Sequence, residues 1–530
     1  MRWMAALALV VACGGTQAAD TSPIAYGTIG PLVGDAGKGS WRFGVATASQ
    51  QIEDMNTATD WYLWTEPTAQ GGLGNDTFVG DATMGYTMDL DDVGLIKTMG
   101  LDSYRFSIEW ARIEPEPGMI DETAIAHYRA ELQALHDMGI RPIVTIHHYS
   151  MPVWVADPRD PTCAMGGSAG NLCGFGGGMG SAIAQAMGAH AALLAQRFGD
   201  LVDEWGTVNE PTVWLLAAYG IGMFPPGKSQ LGDLVGALGP ALRDYIAAHV
   251  AMYQAIKAND TIDADGDGVA AAVGLSMSVA DWEPARDNQP STNADDIAAR
   301  DKLVYLFHYL FVDAVTTGMF DSDLDGMPDE AHPDWADTID WLGLQYYFRA
   351  GVTGDRGLLD GITPCTAGLD LGACLPAPDP SYCVPQMGYE AWADGFEGVL
   401  EAYAQRYPDL PLVVSESGIA SDSGTRHAEN VVRSLETVEH ARQKGVDVRG
   451  FYEWSLTDNF EWAHGFAPHF GLYSVDYSTY ARTATEGANV FGAIAQSRTL
   501  TQAQREQYGG TGPMTPDPQG GSNAFCPQAQ

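Results

Sequence analysis

The sequence predicts an α/β fold: a single (β/α)8 TIM barrel with long, disulfide-pinned βα loops. Eight short apolar runs alternate with amphipathic helical stretches, which indicates a parallel sheet. Eight strand–helix units close such a sheet into a barrel. Length alone would suggest several domains for 530 residues, but no break in composition divides the body of the chain. We therefore predict one domain.

The predicted strands are short apolar runs, and the predicted helices are longer segments between them. The strands are Phe43–Ala46, Ser103–Ser107, Ile143–His147, Glu204–Val208, Ala271–Ser276, Trp341–Tyr346, Leu412–Ser415 and Gly450–Trp454. The helices are Asp91–Met99, Ile125–Met138, Ala182–Phe198, Leu242–Ala258, Ile297–Thr316, Gly395–Tyr407 and Arg426–Lys444.

Two long loops interrupt this alternation, at residues 152–181 and 353–388. Both are rich in Gly, Pro and Cys, and both follow a predicted strand. Loops that follow barrel strands build the active-site face, so we expect these two to form substrate-side walls. Surface decoration with no role in binding is the alternative interpretation.

Residues 1–19 have the pattern of an export signal. A charged start is followed by the apolar stretch Trp3–Ala12, which is too short to span a bilayer. The residues before Cys13 resemble a bacterial lipobox, which would place a lipid on that cysteine. Ordinary signal cleavage near residues 17–19 is the other interpretation. We favour the lipoprotein, and on either interpretation we expect an exported protein, lipid-anchored in the cell envelope or secreted or periplasmic.

The rest of the chain divides into three predicted parts. Residues 20–40 form an N-terminal linker, residues 41–498 the barrel, and residues 499–530 a loose C-terminal tail. The tail prediction rests on its content of Gly, Pro and Gln, which is typical of loops.

The cysteine count also favours export, because seven cysteines leave one unpaired. With Cys13 assigned to the lipid, six remain. Two pairs would close short loops and the third would tether the tail: Cys163–Cys173, Cys365–Cys374 and Cys383–Cys526. Six cysteines allow fifteen pairings, so this connectivity stays open. An oxidising compartment is the firmer inference.

The charge balance excludes several classes of partner. The chain has 27 Lys and Arg against 68 Asp and Glu, a formal net charge of −41. A protein with this balance has little with which to neutralise phosphates, so we expect no nucleic-acid partner. Adhesion to anionic lipid through basic patches and binding of polyanionic substrates are disfavoured for the same reason. A large acidic surface indicates solubility.

Two glutamates lie directly after predicted strands, at positions 210 and 416. Burying an unpaired carboxylate is costly, whereas a carboxylate at the carboxyl end of a barrel strand faces the active-site pocket. Glu210 follows the fourth strand and Glu416 the seventh, on opposite sides of the barrel mouth. Two facing carboxylates suit glycoside hydrolysis, which needs one acid with a raised pKa and one ionised partner.

Longer motifs point the same way. They are residues 43–53 (FGVATASQQIE), 104–113 (YRFSIEWARI), 145–152 (TIHHYSMP), 207–211 (TVNEP), 453–462 (EWSLTDNFEW) and 470–472 (FGL). In this order they resemble glycoside hydrolase family 1, and the resemblance runs from about Trp41 to Phe491. It implies a retaining β-glycosidase, most simply one acting on β-glucosides or oligosaccharides, that needs no cofactor for catalysis.

The resemblance assigns a role to each matching residue. Glu210 would be the acid/base and Glu416 the nucleophile, about 5–5.5 Å apart as retention of configuration requires. Arg105 and Tyr347 resemble the residues that hold the nucleophile, and a guanidinium there favours its ionised form. Residues resembling the hydrogen-bonding shell and the apolar floor and wall around the sugar are Gln51, His148, Asn209, Glu461, Trp454 and Trp462.

Other interpretations of these residues remain. His148 could be a satisfied core histidine, the two tryptophans ordinary core aromatics, and Arg105 part of a structural ion pair. Glu461 favours an unphosphorylated sugar, because a carboxylate repels a phosphate.

This chain also departs from the family pattern at several positions: Tyr149 and Ser150 where Trp-Asp is usual, and Glu109, Gln345 and Ser417. These departures surround the sugar shell and leave both glutamates in place. They bear on the preferred sugar more than on hydrolysis. A transglycosylase of the same fold and a carbohydrate-binding barrel with weak activity are the alternative functions. A metal-dependent hydrolase is disfavoured, since the mouth offers no convincing set of ligands.

Two acidic loops form a second, independent signal. Both have the pattern D-x-D-x-D-G, which places hard oxygens around one cation as calcium loops do. The aspartates are Asp263, Asp265 and Asp267 in the first loop and Asp321, Asp323 and Asp325 in the second. Neither loop has the glutamate that completes an EF-hand. We expect structural calcium in one or both, side by side on the face of the barrel remote from catalysis; plain acidic turns are the alternative.

Overall fold

A computed structural model describes residues 20–519 except 161–162, 164–166, 169, 177, 356–360, 367–372 and 377–378. Eight parallel strands, each paired with the next, close into a barrel when the last pairs with the first. Strands β1 to β8 are Arg42–Ala46, Ser103–Ser107, Arg141–His147, Glu204–Asn209, Ala272–Arg286, Trp341–Thr353, Leu412–Ser417 and Val448–Trp454. The predicted fold and all eight predicted strands are confirmed.

A helical layer surrounds the strands. Helices α1 to α4 are Asp89–Met99, Glu122–Met138, Gly180–Phe198 and Leu234–Asn259. Helix α5 comprises Ala294–Val304 and Leu310–Thr317, joined by the π-helical turn Tyr305–Tyr309, and α6 to α8 are Gly395–Arg406, Gly424–Gln443 and Glu486–Ser497. Short helices lie at Ser49–Ile52, Asp60–Thr65, Trp110–Ile113 and Pro211–Leu215, the last continued by the π-helix Leu216–Ile221. Among the described residues, no helix is both long and apolar enough to span a membrane.

Strands β5 and β6 are longer than the sequence predicts. Their pairing continues as far as Pro284 of β5 and Val352 of β6. The segment Asp281–Arg286 contains charged residues and a proline, so its composition does not indicate a strand. The ladder with β6 supplies its backbone hydrogen bonds instead. Short strands at Thr363–Cys365 and Tyr389–Glu390 extend β6 further.

The bottom of the barrel is closed by a buried ion pair and the chain before β1. Arg42 and Glu204 form this pair between β1 and β4, with side chains 0% and 4% exposed. Arg42 also donates to the carbonyl of Gly30 at 2.7 Å. Inside the barrel, Gly44 leaves room for the ring of Tyr452, which a Cβ would meet at 2.3 Å. Large and small residues therefore alternate around the axis.

The predicted linker and tail are more ordered than their composition indicates. The strand Ile24–Ala25 pairs with Thr499–Leu500, which joins the two ends of the described chain. A ninth helix, α9, spans Gln502–Tyr508, and its Arg505 contacts Glu436 of α7 at 2.5 Å. The prediction of a loose tail is therefore wrong up to residue 519, because contacts with α7 order a segment that composition assigns to a loop.

Two of the three predicted disulfides are present, Cys163–Cys173 and Cys365–Cys374. They lie in the loops after β3 and β6, as expected. Cys383 is also disulfide-bonded, and Cys526, the partner predicted for it, lies outside the described residues. The export signal with Cys13 lies outside them too, so export and lipid attachment stay predictions.

The buried pair of Arg42 and Glu204 makes a stability prediction. Glu204→Gln leaves a buried guanidinium without its counter-charge, which costs about 3–5 kcal/mol. We expect a lower unfolding midpoint in urea, followed by circular dichroism. The matched control is Glu122→Gln, which breaks an ion pair whose glutamate is 62% exposed and should leave the midpoint unchanged. Equal midpoints for all three proteins would contradict the prediction.

Candidate active site

Glu210 and Glu416 lie at the carboxyl ends of β4 and β7, where local backbone irregularities direct their side chains. Glu210 has a φ of 39°, in the left-handed region that non-glycine residues seldom adopt and that is concentrated at functional sites. The register of β7 shifts between Val414 and Ser417. Such bulges re-aim side chains beside active sites.

One guanidinium connects the two sides of the barrel mouth. Arg105 on β2 donates through Nη1 to Glu416 Oε1 and through Nη2 to Asn209 Oδ1, both at 2.5 Å. The hydroxyl of Tyr347 donates to Glu416 Oε2 at 2.6 Å. Both oxygens of Glu416 therefore accept a hydrogen bond, and the structure places Arg105 and Tyr347 in contact with this carboxylate.

Two hydroxyl groups that the sequence does not predict act on Glu210. Tyr149 donates to Glu210 Oε2, and the hydroxyl of Ser278 on β5 lies close enough to lower the pKa of this carboxyl. The neighbouring Asn209 accepts a further hydrogen bond from Gln345 Nε2 at 2.7 Å. Tyr149 and Gln345 stand out in the sequence only as departures from the family pattern, and Ser278 carries no signal at all.

The two carboxyl groups have different electrostatic environments. Burial raises the pKa of Glu210 to about 7, with the charge of Glu416 as the next cause, while the hydroxyls of Tyr149 and Ser278 oppose the rise. Burial also raises the pKa of Glu416, but the Arg105 guanidinium is its strongest opposing influence. Only Glu416 accepts a hydrogen bond directly from a guanidinium, so Glu416 ionises first and Glu210 keeps the proton.

A third carboxyl group, Glu461, lies in the same pocket. Gln51 Nε2 donates to its Oε2 at 3.0 Å, and Trp454 also bonds to it. Burial, and then the charge of Glu416, raise the pKa of Glu461 to about 8. Three carboxyl groups therefore share one guanidinium, and the two that do not accept a hydrogen bond from it have clearly raised pKa values.

Two polar atoms of the sequence-predicted shell are buried without a hydrogen-bond partner among the described residues, Gln51 Oε1 and His148 Nδ1. Burial, aided by the charge of Arg105, lowers the pKa of His148 well below its ordinary value, so the ring is neutral. Buried polar groups almost always make hydrogen bonds. These two atoms are therefore available to a polar ligand, which argues against a satisfied core histidine.

Aromatic rings complete the pocket. Trp454 and Trp462 are 3% and 6% exposed, and their rings lie 5.9 and 6.0 Å from that of His148. Trp462 also contacts Tyr149 at 5.1 Å and Trp61 at 5.0 Å. The structure thus places both predicted tryptophans beside the polar shell, with Trp462 continuing into the apolar core.

The first acidic loop differs from the prediction in its membership. Its carboxylate cluster is formed by Asp203, Asp263 and Asp265, and the sequence-predicted Asp267 is not part of it. Arg141 lies 2.9 Å from Asp265 and 3.1 Å from Asp267. Asp203 precedes β4 in the chain, so no pattern within the loop could reveal it. A protein cation already neutralises this loop at the bottom of the barrel.

The second acidic loop brings Asp321, Asp323 and Asp325 together as predicted, with one oxygen from each within 4.8 Å of the others. Its position differs from the prediction. Ser322 of this loop packs against Gly239 near the start of α4. The first loop follows the other end of α4, which lies twenty residues and about 30 Å from Gly239 along the helix. The two loops are therefore not side by side.

Comparison with known proteins gives one consistent result. The model of glycosyl hydrolase family 1 matches residues 38–500. A β-galactosidase of Pyrococcus woesei is 28% identical over 517 residues, 88% of this chain and 98% of that protein. A β-glucosidase of Agrobacterium sp. is 29% identical over 488 residues, 86% of this chain and 95% of that protein. A solved β-glycosidase from Pyrococcus horikoshii has a TM-score of 0.73 at 27% identity, covering 91% of this chain and 99% of that one.

The coupling between the two carboxyl groups makes a titration prediction. Glu416→Gln removes a negative charge that raises the pKa of Glu210, so that pKa should fall below about 7 toward its ordinary value. The measurement is NMR of the 13C-labelled glutamate carboxyl, assigned with Glu210→Gln. The exposed Glu122→Gln serves as the control and should leave the titration unchanged. A pKa that stays the same or rises in Glu416→Gln would show that the two groups are not coupled.

Proposed function

This chain belongs to glycosyl hydrolase family 1 and is a glycoside hydrolase, and from this premise we propose that it is a retaining β-glycosidase. It removes terminal non-reducing β-linked sugars, with β-glucosides as the first candidates. The observation that carries the proposal is the unequal pair of carboxyl groups: Glu416 is bound by Arg105, and Glu210 has a pKa of about 7. Retaining hydrolysis needs one ionised and one protonated carboxyl.

In the first step the Glu416 carboxylate attacks the anomeric carbon while Glu210 gives its proton to the glycosidic oxygen. The C–O bond breaks, the aglycone leaves as an alcohol, and a glycosyl ester forms on Glu416. This removes the negative charge that raises the pKa of Glu210, so Glu210 becomes a better base. In the second step Glu210 takes a proton from water, the water oxygen attacks the anomeric carbon, and the ester bond breaks.

The sugar shell supports a neutral, unphosphorylated substrate. The Oδ1 of Asn209 is engaged by Arg105 and Gln345, which leaves its amide nitrogen to donate to the sugar 2-hydroxyl. Gln51 Oε1 and His148 Nδ1 would meet outer hydroxyls, and the indoles of Trp454 and Trp462 would cover the C–H faces, as sugar sites require. The relatives carry both β-glucosidase and β-galactosidase names, so both sugars belong in the first test.

The mechanism is tested with aryl β-glucosides and β-galactosides. Wild type should turn over at least one, and Glu416→Ala should lose roughly 10⁴–10⁶-fold in kcat because the covalent intermediate no longer forms. With azide, Glu416→Ala should give the α-glycosyl azide, and Glu210→Ala the β-glycosyl azide through the intact nucleophile. Product configuration by proton NMR thus separates the two roles.

Two outcomes of this experiment would count against the proposal. If folded wild-type protein, supplied with calcium, turns over no neutral β-glycoside, the hydrolase proposal fails and a binding barrel replaces it. If both variants give azides of the same configuration, the assignment of nucleophile and acid/base fails. Adding an acceptor sugar to the wild-type reaction measures the share of transglycosylation.

We also propose a structural calcium ion at the second acidic loop. Asp321, Asp323 and Asp325 offer three carboxylate oxygens within 4.8 Å of one another, and hard oxygen ligands are those that calcium prefers. The backbone amides of Asp325 and Gly326 donate to Asp321, which sets the loop in a turn around these oxygens. The first loop is a weaker candidate because Arg141 already occupies its carboxylates.

A bound calcium ion should stabilise the fold by mass action. At a calcium concentration 100 times the Kd the gain is about 2.7 kcal/mol, seen as a higher thermal midpoint by calorimetry that chelation reverses. Asp323→Asn should abolish the calcium-dependent shift, while Asp263→Asn in the first loop should retain it. A midpoint unaffected by calcium and by chelator would remove the proposal.

A further inference from the structure

Tyr149 occupies a strained backbone position directly above β3. Its φ is 68°, in the left-handed region, which is a genuine outlier for a bulky residue. Its carbonyl oxygen accepts a hydrogen bond from Trp61 Nε1 at 3.1 Å, which anchors the turn. Strain of this kind persists only where the surrounding structure maintains it, and it is concentrated at functional sites.

The side chain of Tyr149 points to one catalytic carboxyl group. It is 3% exposed, and its ring packs against Trp462 at 5.1 Å and Phe224 at 5.7 Å. Its hydroxyl donates to Glu210 Oε2. The hydrogen bond restrains one oxygen of the Glu210 carboxyl, and the ring contacts fix the direction of the Tyr149 hydroxyl. Tyr149 therefore restrains the orientation of the carboxyl plane.

Apart from Ser278, the described groups around Glu210 do not duplicate this bond. Besides Tyr149, six residues interact with Glu210 through charge or hydrogen bonding. They are Glu416, Glu461, Arg105, Tyr347, Tyr389 and Ser278. Arg105 directs its two terminal nitrogens to Glu416 and Asn209, and Tyr347 donates to Glu416. Tyr149 donates to Glu210, and the hydroxyls of Tyr149 and Ser278 both lower its pKa and so favour its ionised form.

We propose that Tyr149 is a positioning residue that holds the Glu210 carboxylate as the base of the second half-reaction. The inference rests on the proposed retaining mechanism and deepens it. During breakdown of the glycosyl ester, water gives its proton to Glu210 while Tyr149 keeps its own proton and only donates a hydrogen bond. In the first half-reaction Glu210 gives up its proton, so the bond matters there only when the leaving group needs that proton.

The two half-reactions therefore respond differently to loss of this hydroxyl. A hydrogen bond to a charged group is stronger than one between neutral groups. Its loss leaves a smaller fraction of Glu210 ionised and its carboxyl plane unfixed, and both effects should slow the step that needs ionised Glu210. With a 2,4-dinitrophenyl β-glycoside the leaving group needs no acid, and kcat/KM reports ester formation. If ester breakdown limits turnover, kcat reports the base-dependent step.

The test is Tyr149→Phe with the 2,4-dinitrophenyl glycoside of the sugar that wild type prefers. We expect kcat to fall about tenfold and KM to fall with it, leaving kcat/KM within about twofold of wild type. The acid limb of the kcat–pH profile should move up by about one pH unit, the equivalent of that tenfold change. Azide, which attacks without a base, should restore kcat in the variant and release the β-glycosyl azide.

The matched control is Tyr403→Phe. This tyrosine is also fully buried, and its hydroxyl donates to the His308 carbonyl at 2.8 Å, on the outer layer away from the pocket. It should show wild-type kcat, KM and pH profile and no response to azide. Should Tyr149→Phe fail to fold, Tyr149→Met fills the site with a flexible side chain that has no donor and is expected to give the same kinetic split.

Each remaining outcome overturns the inference. A Tyr149→Phe enzyme with wild-type kcat and pH profile would show that the bond does not act in catalysis. An equal fall in kcat and kcat/KM, with no azide rescue, would assign Tyr149 a structural role only. In both cases formation of the α-glycosyl azide by Glu416→Ala would still support the proposed function. Absence of wild-type turnover would remove both.

Discussion

The active site depends on one interaction, the bridge that Arg105 makes between β7 and β4. Its guanidinium binds Glu416 on one side of the barrel mouth and Asn209 on the other. Arg105 is 1% exposed, and a buried carboxylate without such a partner would be strongly unfavourable. The bridge allows Glu416 to be ionised in a buried pocket and ties it to the strand that leads to Glu210.

The raised pKa values of the other carboxyl groups in the pocket follow from the shortage of positive charge there. Three buried carboxyl groups share this single guanidinium, and it contacts only Glu416 directly. The other two have raised pKa values, about 7 for Glu210 and about 8 for Glu461. Their hydroxyl and amide donors, Tyr149 and Gln51, moderate these values without adding charge. A pocket of this kind suits a neutral sugar with many hydroxyls and disfavours an anionic one.

Local sequence determined the barrel and the pair of carboxyl groups at its mouth. Each strand contains a contiguous apolar run, and seven of the eight helices α1 to α8 contain a readable amphipathic one, so the order of these elements is readable without knowledge of distant contacts. The upper part of β5 and the helix α8 are not among the predicted elements. Glu210 and Glu416 are readable for the same reason, because the carboxyl end of a barrel strand always faces the mouth. The disulfides Cys163–Cys173 and Cys365–Cys374 close loops of 10 and 9 residues, and short loops are local features too.

Only the tertiary structure decided which residues from distant parts of the sequence contact one another. Tyr149 reaches Glu210 across 61 residues of sequence, through a left-handed turn that no periodicity encodes. Asp203 replaces Asp267 in the first acidic cluster because the start of β4 lies beside that loop. The tail is ordered by α7 although its own composition indicates a loop. In each case the register of parallel strands and the packing of helices bring side chains together, and these depend on the whole barrel rather than on any short stretch of residues.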